Sequence, residues 1–515
     1  MKKNVFILSV LCFFLNIAFI NAQKALTAST AQGTATTTGN GVNWTPVVVT
    51  SLNLTAGTKV LVKAVIEATV TSGNSDINTE FRLTDGTNFS PVIFRYVTTK
   101  TYTDKGKVSI SFIFDSTPFT GSKTFTLEHT KTTSGENKQF TSKAIITAIE
   151  ISNSNIILPS GQATASLTST TSTTYSPVAT TNMITLEKTA DIYITSTFST
   201  STTDVSASGD WSIQESTDNI SYTDIPNSQI TRSITAANDA GIGAATIATL
   251  IKAKPAGNYY FRLADKVNTG TNLSTIGATI SAVVLRSTIA TGDDVFPSYT
   301  QSPPSETSTT NTYSVINSAT ITAPENGFTD NKFFMHTTYN MTAAGDNIAY
   351  ATHEFTSSAG TFTPFEIQRY VLNGTTGSGG LIGIVSGINA LSSFDVSFQH
   401  KNSGATGTLT TSNINTIGFF LNSDPFSTLS VEEDILNSNI SIYPNPSKEQ
   451  CYISNNVTEG ETSFKFYTLT GQLVHSLTVK PKEHTKVDIT GWASGVYILK
   501  ATNNGINIAK KLIIK

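Results

Sequence analysis

From Gln23 to about Leu421 the chain runs in short stretches where apolar and polar residues alternate, interrupted by clusters of Gly, Asn, Ser and Asp. A period of two means strands with one face on a core. No middle segment keeps a helical apolar period for three turns, so the pattern predicts an all-β protein. Four kinds of element then recur in one order, three times, at a spacing of roughly 130 residues. A Thr-rich strand comes first: VLVKAVIEATV from Val60, DIYITSTFST from Asp191 and KFFMHTTYNMT from Lys332. Next is an aromatic hairpin starting at Glu80, at Trp211 and at His353. A strand after a turn follows, with Phe125 and Leu127, Phe261 and Leu263, then Val396 and Phe398 at alternate positions. The closing strands are TSKAIITAIEI, STIGATISAVVL and NINTIGFFL.

The expected architecture is three tandem β-sandwiches of jelly-roll type, at 23–158, 159–295 and 313–425, each folding separately. A Pro/Ser/Thr-rich linker is expected at 296–312 and an acidic linker at 426–438, with a smaller β-sandwich at 439–515. The N-terminus has a basic start (Met1-Lys-Lys), an apolar run from Val5 to Ile20 and a small-residue exit at Ala22, the plan of a secretory signal over 1–22. The run is about 16 residues, short of the roughly 20 that span a bilayer, so no transmembrane segment is expected in the mature chain.

Of 515 residues only 13% are charged and the net charge is −3, which excludes a basic field for nucleic acid or anionic lipid. After signal removal one cysteine is left, Cys451, so packing rather than disulfides must hold the fold.

Beyond Asn439 lysine becomes frequent and a specific order of motifs begins. Tyr443-Pro444-Asn445-Pro446 makes a stiff bend, Gly471 turns a hairpin between FKFYTL and QLVHSL, Gly495 and Tyr497 open the strand VYILKA, and Lys511 lies in the closing strand IAKKLIIK. This series resembles the type A C-terminal sorting domain of the type IX (Por) secretion system, over about the last 75 residues. The resemblance implies a host of the Bacteroidetes type, the type IX machinery as partner, and a final place outside the cell or on the outer-membrane surface. It departs mildly at Trp492-Ala-Ser494, where an aliphatic-rich turn is common.

Catalytic candidates are few. His129 and His400 occupy matching places after the third element, beside lysines, and read as solvated strand ends. His336 and His353 could meet across a sheet but have no evident third ligand. Glu80, Glu354 and Glu366 border the hairpins as outward strand positions, and Asp293-Asp294 lacks a third acidic partner for calcium. No catalytic residue, metal or cofactor is therefore assigned. Glycan contact needs exposed rings beside hydrogen-bonding groups, for which Trp44, Trp211 and the Arg369–Tyr370 pair are candidates; the competing reading is that they fill cores. Asp115-Ser116-Thr117 resembles an acceptor pattern for O-glycosylation at Ser116. The expected function is a secreted, modular, non-enzymatic surface protein, adhesive or structural. The alternatives are a carbohydrate-binding module protein with a polysaccharide ligand and, less simply, a divergent extracellular hydrolase.

Overall fold

The computed structural model describes residues 26–515 except 38–42, 73–76, 98–104, 118, 132–138, 153–156, 236–241, 286–297, 324–330, 357–360, 363, 404–406, 422–438, 458–459 and 504–505. The expected signal, the acidic linker and Asp293-Asp294 lie outside the described residues. Two compact units result, one within Met1–Ser423 and one within Asp424–Lys515.

The first unit holds three jelly rolls. In the first roll, Ala28–Thr37, Gln139–Ser152, Lys59–Ser72 and Lys105–Asp115 form one sheet, and Thr45–Leu54, Gly121–Lys131, Ile77–Thr84 and Ile93–Val97 form the sheet facing it. In chain order these are strands one, eight, three and six against two, seven, four and five, all antiparallel, which is the jelly-roll connection. Apart from the accessory strands Ile184–Leu186, Glu306–Ser308 and Thr361–Phe362, the same order recurs in the other two rolls. Their third strands are Ala190–Ser201 and Asn331–Ala344, their fifth Thr223–Thr235 and Ile367–Val371, and their sixth Ile242–Lys254 and Thr376–Ile388.

The segment expected to be an extended linker is different. Ser298–Gln301 and Glu306–Ser308 pair with Thr408–Leu421, so this stretch is the first, edge strand of the third roll. Pro303 and Pro304 fall between the two pieces, where no ladder N–H is required.

Each roll has its own sandwich core, around Phe81, Phe114 and Phe125 in the first, Phe198, Trp211 and Phe261 in the second, and Phe333, Phe394 and Phe420 in the third. A further cluster joins all three, running through Leu61, Ile149, Tyr193, Leu250, Phe334 and Phe419. The sheet that contains the third strand is thus buried on both faces. That is why Ala190–Ser201 is buried along almost its whole length although half of its residues are Thr or Ser.

The rolls close into a ring. The fifth strand of each roll lies against the sixth strand of the next: Ile93–Val97 on Ile242–Lys254, Thr223–Thr235 on Thr376–Ile388, and Ile367–Val371 on Lys105–Asp115. One contact repeats at all three joints. Phe94 N donates to Ser199 Oγ (2.6 Å), Gln368 N donates to Glu67 Oε2 (2.7 Å), and Asn340, with its amide oriented to suit its neighbours, accepts from Thr231 N (3.1 Å). Residues 94, 231 and 368 are 137 positions apart in both steps, and each precedes a buried arginine, Arg95, Arg232 or Arg369. The first unit is a pseudo-threefold assembly within one chain.

The second unit is a seven-stranded sandwich. Ile440–Tyr443, Gln450–Asn455 and Glu483–Asp488 face Leu473–Val479, Thr462–Thr468, Gly495–Asn503 and Ile506–Ile514 over a core that includes Cys451, Phe464, Phe466 and Leu512. Cys451 is buried and unpaired, and burial pushes its thiol up to about 11.

Candidate functional site

Strands of the outer sheets alternate, so every second side chain leaves the core, and the outward rows gather rings and cations. In the first roll the Arg82 guanidinium lies between the Trp44 ring at 4.1 Å and the Phe89 ring at 4.0 Å, while its Nε donates to Glu128 Oε2 at 2.8 Å. In the second, Arg262 covers Tyr222 at 3.8 Å and Lys266 covers Tyr175 at 4.9 Å. In the third, Lys401 sits 4.2 Å from the Tyr313 ring and 4.6 Å from the Tyr350 ring, with Glu366 3.4 Å away. Burial pushes the Glu366 carboxyl up, but hydrogen bonds from Tyr313 and Gln368 and the Lys401 charge outweigh it and hold it below the usual range. Such stacks contribute about 0.5–1 kcal/mol each at exposed sites, so they stiffen the rows without burying them.

The sequence candidates scatter over this frame. Trp44 belongs to the outer stack of the first roll. Trp211 is fully buried, with Nε1 donating to Thr275 Oγ1 at 2.9 Å, and is a core residue. Arg369 is buried, its Nη1 donating to Ser378 O at 2.6 Å, while Tyr370 beside it is half-buried. Trp44, Trp211 and Arg369–Tyr370 belong to different rolls and make no common site. Ser116 is only 3% exposed, so its hydroxyl is out of reach in the folded protein.

The histidines read as solvated strand ends are buried instead. His129 Nδ1 lies 2.9 Å from Ser142 Oγ, and His400 Nδ1 lies 2.7 Å from Thr411 Oγ1. The second roll has Asp265 in that place, accepting from Thr275 Oγ1 at 2.6 Å. Each roll therefore keeps one buried polar pair between its seventh and eighth strands. Burial pushes both imidazoles down to about 4 and the Asp265 carboxyl up to about 6.

A second polar group fills the middle of the ring; the sequence reading named its histidines, His336 and His353, but not its lysines and tyrosines. Lys63 and Lys107 are 2% and 3% exposed, and burial drives both amines well below their usual range; for Lys107, Arg369 adds to this and Glu67 opposes it. Lys63 Nζ donates to Thr195 Oγ1 at 2.9 Å, and Lys107 Nζ donates to Tyr339 OH at 2.6 Å. Tyr193 OH is 2.8 Å from His336 Nδ1, and His353 Nε2 is 2.8 Å from Thr337 Oγ1. His336 is lowered by burial first and by Lys63, His353 and Lys107 after it. Amines and imidazoles with shifted pKa values are ingredients of base catalysis. Here, however, the cavity beside them has room for about one water, and the cluster serves as the polar seam between rolls. Among the described residues no three His, Cys, Asp or Glu side chains are placed to hold a metal ion.

In the second unit the Pro-Asn-Pro bend clamps the terminal strand. Asn445 Nδ2 donates to Lys511 O at 2.6 Å, Asn445 Oδ1 accepts from Ile513 N at 2.9 Å, and Ser447 exchanges backbone bonds with Ile513 O and Lys515 N. The Asn445 carboxamide thus stands in for a strand's backbone along an edge that would otherwise be open. Gly471, at φ 85°, makes the hairpin turn, and Trp492 packs its ring on Phe466 and Tyr497. Leu469 and Leu473 at that turn are 53% and 49% exposed.

Residues 441–515 match the family model described as the secretion system C-terminal sorting domain. No curated protein matches the chain. Among solved structures, the tandem N-terminal CBM22-1–CBM22-2 domains of Xyn10C from Paenibacillus barcinonensis align over 51% of this chain and 99% of theirs, at 11% identity and TM-score 0.17. A triple jelly-roll protein of an archaeal virus aligns over 78% and 91%, at 11% identity and TM-score 0.17. The BSP domain of a biofilm-associated protein aligns over 95% and 81%, at 8% identity and TM-score 0.16. The terminal unit is a type IX sorting domain, and the chain is a secreted protein, held at the cell surface or released. Among the described residues no helix is long and apolar enough to cross a membrane.

Proposed function

We propose that the protein is a non-catalytic surface protein of adhesive or structural type: a rigid ring of three jelly rolls that presents its outer sheets to other surfaces after export. The observation that carries this reading is the division of its polar chemistry. The perturbed amines and imidazoles are sealed within or between the rolls, while the outward rows offer hydroxyls, rings and paired charges. Three similar faces held at fixed angles suit many weak contacts, whose sum depends on simultaneous engagement.

A second reading, glycan binding by these faces, is favoured by the ring–cation stacks at Trp44–Arg82–Phe89 and Tyr313–Lys401–Tyr350. The test is a panel of polysaccharides and surface proteins probed with the purified full chain. Retention on one of them without release of reducing sugar or peptides supports the proposal. Retention of a polysaccharide that is lost in Trp44→Ala or Tyr313→Ala favours the glycan reading. Product release that disappears with one Glu or His substitution would overturn both.

A further inference from the structure

The three rolls keep an aromatic residue at one place. Their second strands, Thr45–Leu54, Ser176–Thr180 and Ser314–Thr322, each begin opposite the buried polar residue of the seventh strand: Thr45 pairs with His129, Ser176 with Asp265 and Ser314 with His400. The residue just before that pair is Trp44, Tyr175 or Tyr313, half-buried in every case. Each ring carries a cation that is itself ion-paired. Arg82 lies over Trp44 and pairs with Glu128 at 2.8 Å, Lys266 lies over Tyr175 and pairs with Asp210 at 3.4 Å, and Lys401 lies over Tyr313 and pairs with Glu366 at 3.4 Å.

Around these rings the outer face has drifted. One and three positions before the buried polar residue, the seventh strands read Glu128, Ala264 and Gln399, then Thr126, Arg262 and Ser397. The ion pair has drifted too: its cation comes from the fourth strand in the first roll and from the seventh in the other two. A stack that contributes about 0.5–1 kcal/mol is as replaceable as its neighbours. A partly exposed ring that persists while its supports change strands points to contact with something outside the chain. Ring and ion pair together present an apolar face, N–H donors and carboxylate acceptors with no net charge. A pyranose has the matching parts, C–H groups on one face and hydroxyls at the rim that donate and accept. A polyanion gains little from a cation already paired, and the chain's net charge of −3 opposes it. A protein partner needs a desolvated apolar centre, which rings covered by ion-paired cations do not supply.

We propose that the three triads are equivalent subsites for neutral saccharide units, one per roll, so that one molecule holds several strands of a neutral polysaccharide together. This rests on the glycan reading above and adds the place, the number and the charge class of the ligand. Equivalent positions of a pseudo-threefold ring lie at one level around it and face in different directions, which suits crosslinking rather than gripping a single strand.

The test uses the purified full chain, with laminarin, galactomannan and dextran as neutral probes, polygalacturonate as the polyanion and gelatin as the protein. Retention in affinity gels selects the polymer, and calorimetric titration with its short oligosaccharide counts the sites. The expected result is retention of a neutral polymer and three sites per chain, falling by one in each of Trp44→Ala, Tyr175→Ala and Tyr313→Ala. Lys266→Gln and Lys401→Gln leave the rings in place and should each weaken one site about tenfold. The unmodified chain should also turn a solution of that polymer turbid, and the triple ring variant should not. A site count unchanged in the ring variants, a single site lost in Trp44→Ala alone, or retention of polygalacturonate only would overturn the proposal and leave glycan binding standing. Retention of gelatin only, or of no probe, would overturn both.

Discussion

Glu67 Oε2 accepts the backbone N–H of Gln368, 301 positions further along the chain, at 2.7 Å. This is the joint that closes the ring, and it carries a charged acceptor where the other two joints use Ser199 and Asn340. Hydrogen bonds to charged groups contribute about 1.5–3 kcal/mol, neutral ones about 0.5–1.5. Glu67→Ala should therefore lower the unfolding free energy of the first unit by about 2–3 kcal/mol, and Ser199→Ala by about 1 kcal/mol. Urea titration of the two variants would show the difference; equal effects would mean that the joints are energetically alike.

The rolls read as separate beads in the sequence, but the shared cluster around Tyr193, Leu250 and Phe334 says otherwise. A fully buried Leu or Phe contributes about 1.5–3 kcal/mol, and a lone roll would expose several such residues along with Lys63 or His336. Residues 159–285 expressed alone should melt well below the full chain or self-associate. Calorimetry and light scattering would decide. A monomeric segment melting at the full-chain temperature would refute the packing argument.

Acid should loosen the rolls at defined residues. His129 and His400 are held near 4 in the fold, against about 6.5 unfolded, so between these values the unfolded chain binds more protons. Stability then falls as pH falls from about 6.5 towards 4, by up to about 3 kcal/mol per histidine. Asp265, raised to about 6, works in the opposite sense: its contribution is present in acid and is lost as pH rises through 6. His400→Gln should flatten the acid slope and Asp265→Asn should steepen it, in denaturation curves taken from pH 4 to 7.

Asn445 is bonded through both ends of its carboxamide to the terminal strand. Removing that side chain leaves a donor and an acceptor of the strand without partners. Asn445→Ala should destabilise the sorting domain by about 1–3 kcal/mol and leave more of the protein in the periplasm. Fractionation followed by immunoblotting would measure it, with deletion of 441–515 as the fully retained reference. Undiminished export of that deletion would refute the sorting role.

Much of this was legible in the chain, and the gaps have a common cause. Strands that alternate strictly, such as Gly121–Lys131 with Phe125 and Leu127 inward, declared themselves and fixed the threefold repeat. The sixth strands did not. IGAATIATLIKAK and TGSGGLIGIVSGI are rich in Gly, Ala, Ser and Thr and are buried on both faces, so no alternation marks them, and in KGKVSISFIFD the serines that alternate with Val108 and Ile110 are buried as well. They are also the strands that build the ring, and the lysines and tyrosines that join His336 and His353 in the polar seam went unweighed with them. His129 and His400 were misjudged because adjacent lysines suggested solvent, whereas Lys131 is buried together with His129, and Lys401 is partly exposed beside a buried His400. The Pro-Asn-Pro bend was recognised as a turn, but its hold on residues 511–515 depends on a contact 66 positions away.

The 137-residue interval between the joints has a historical meaning. A closed ring whose successive members meet through the same pair of surfaces is what three identical subunits would make, and fusing them end to end leaves the interval as a record of duplication. In a homotrimer any substitution on the symmetry axis strikes three times at once. After fusion each copy can change alone, and Ser109, Thr246 and Gly380 now occupy what was one position. Joining the subunits freed the centre of the molecule to become asymmetric.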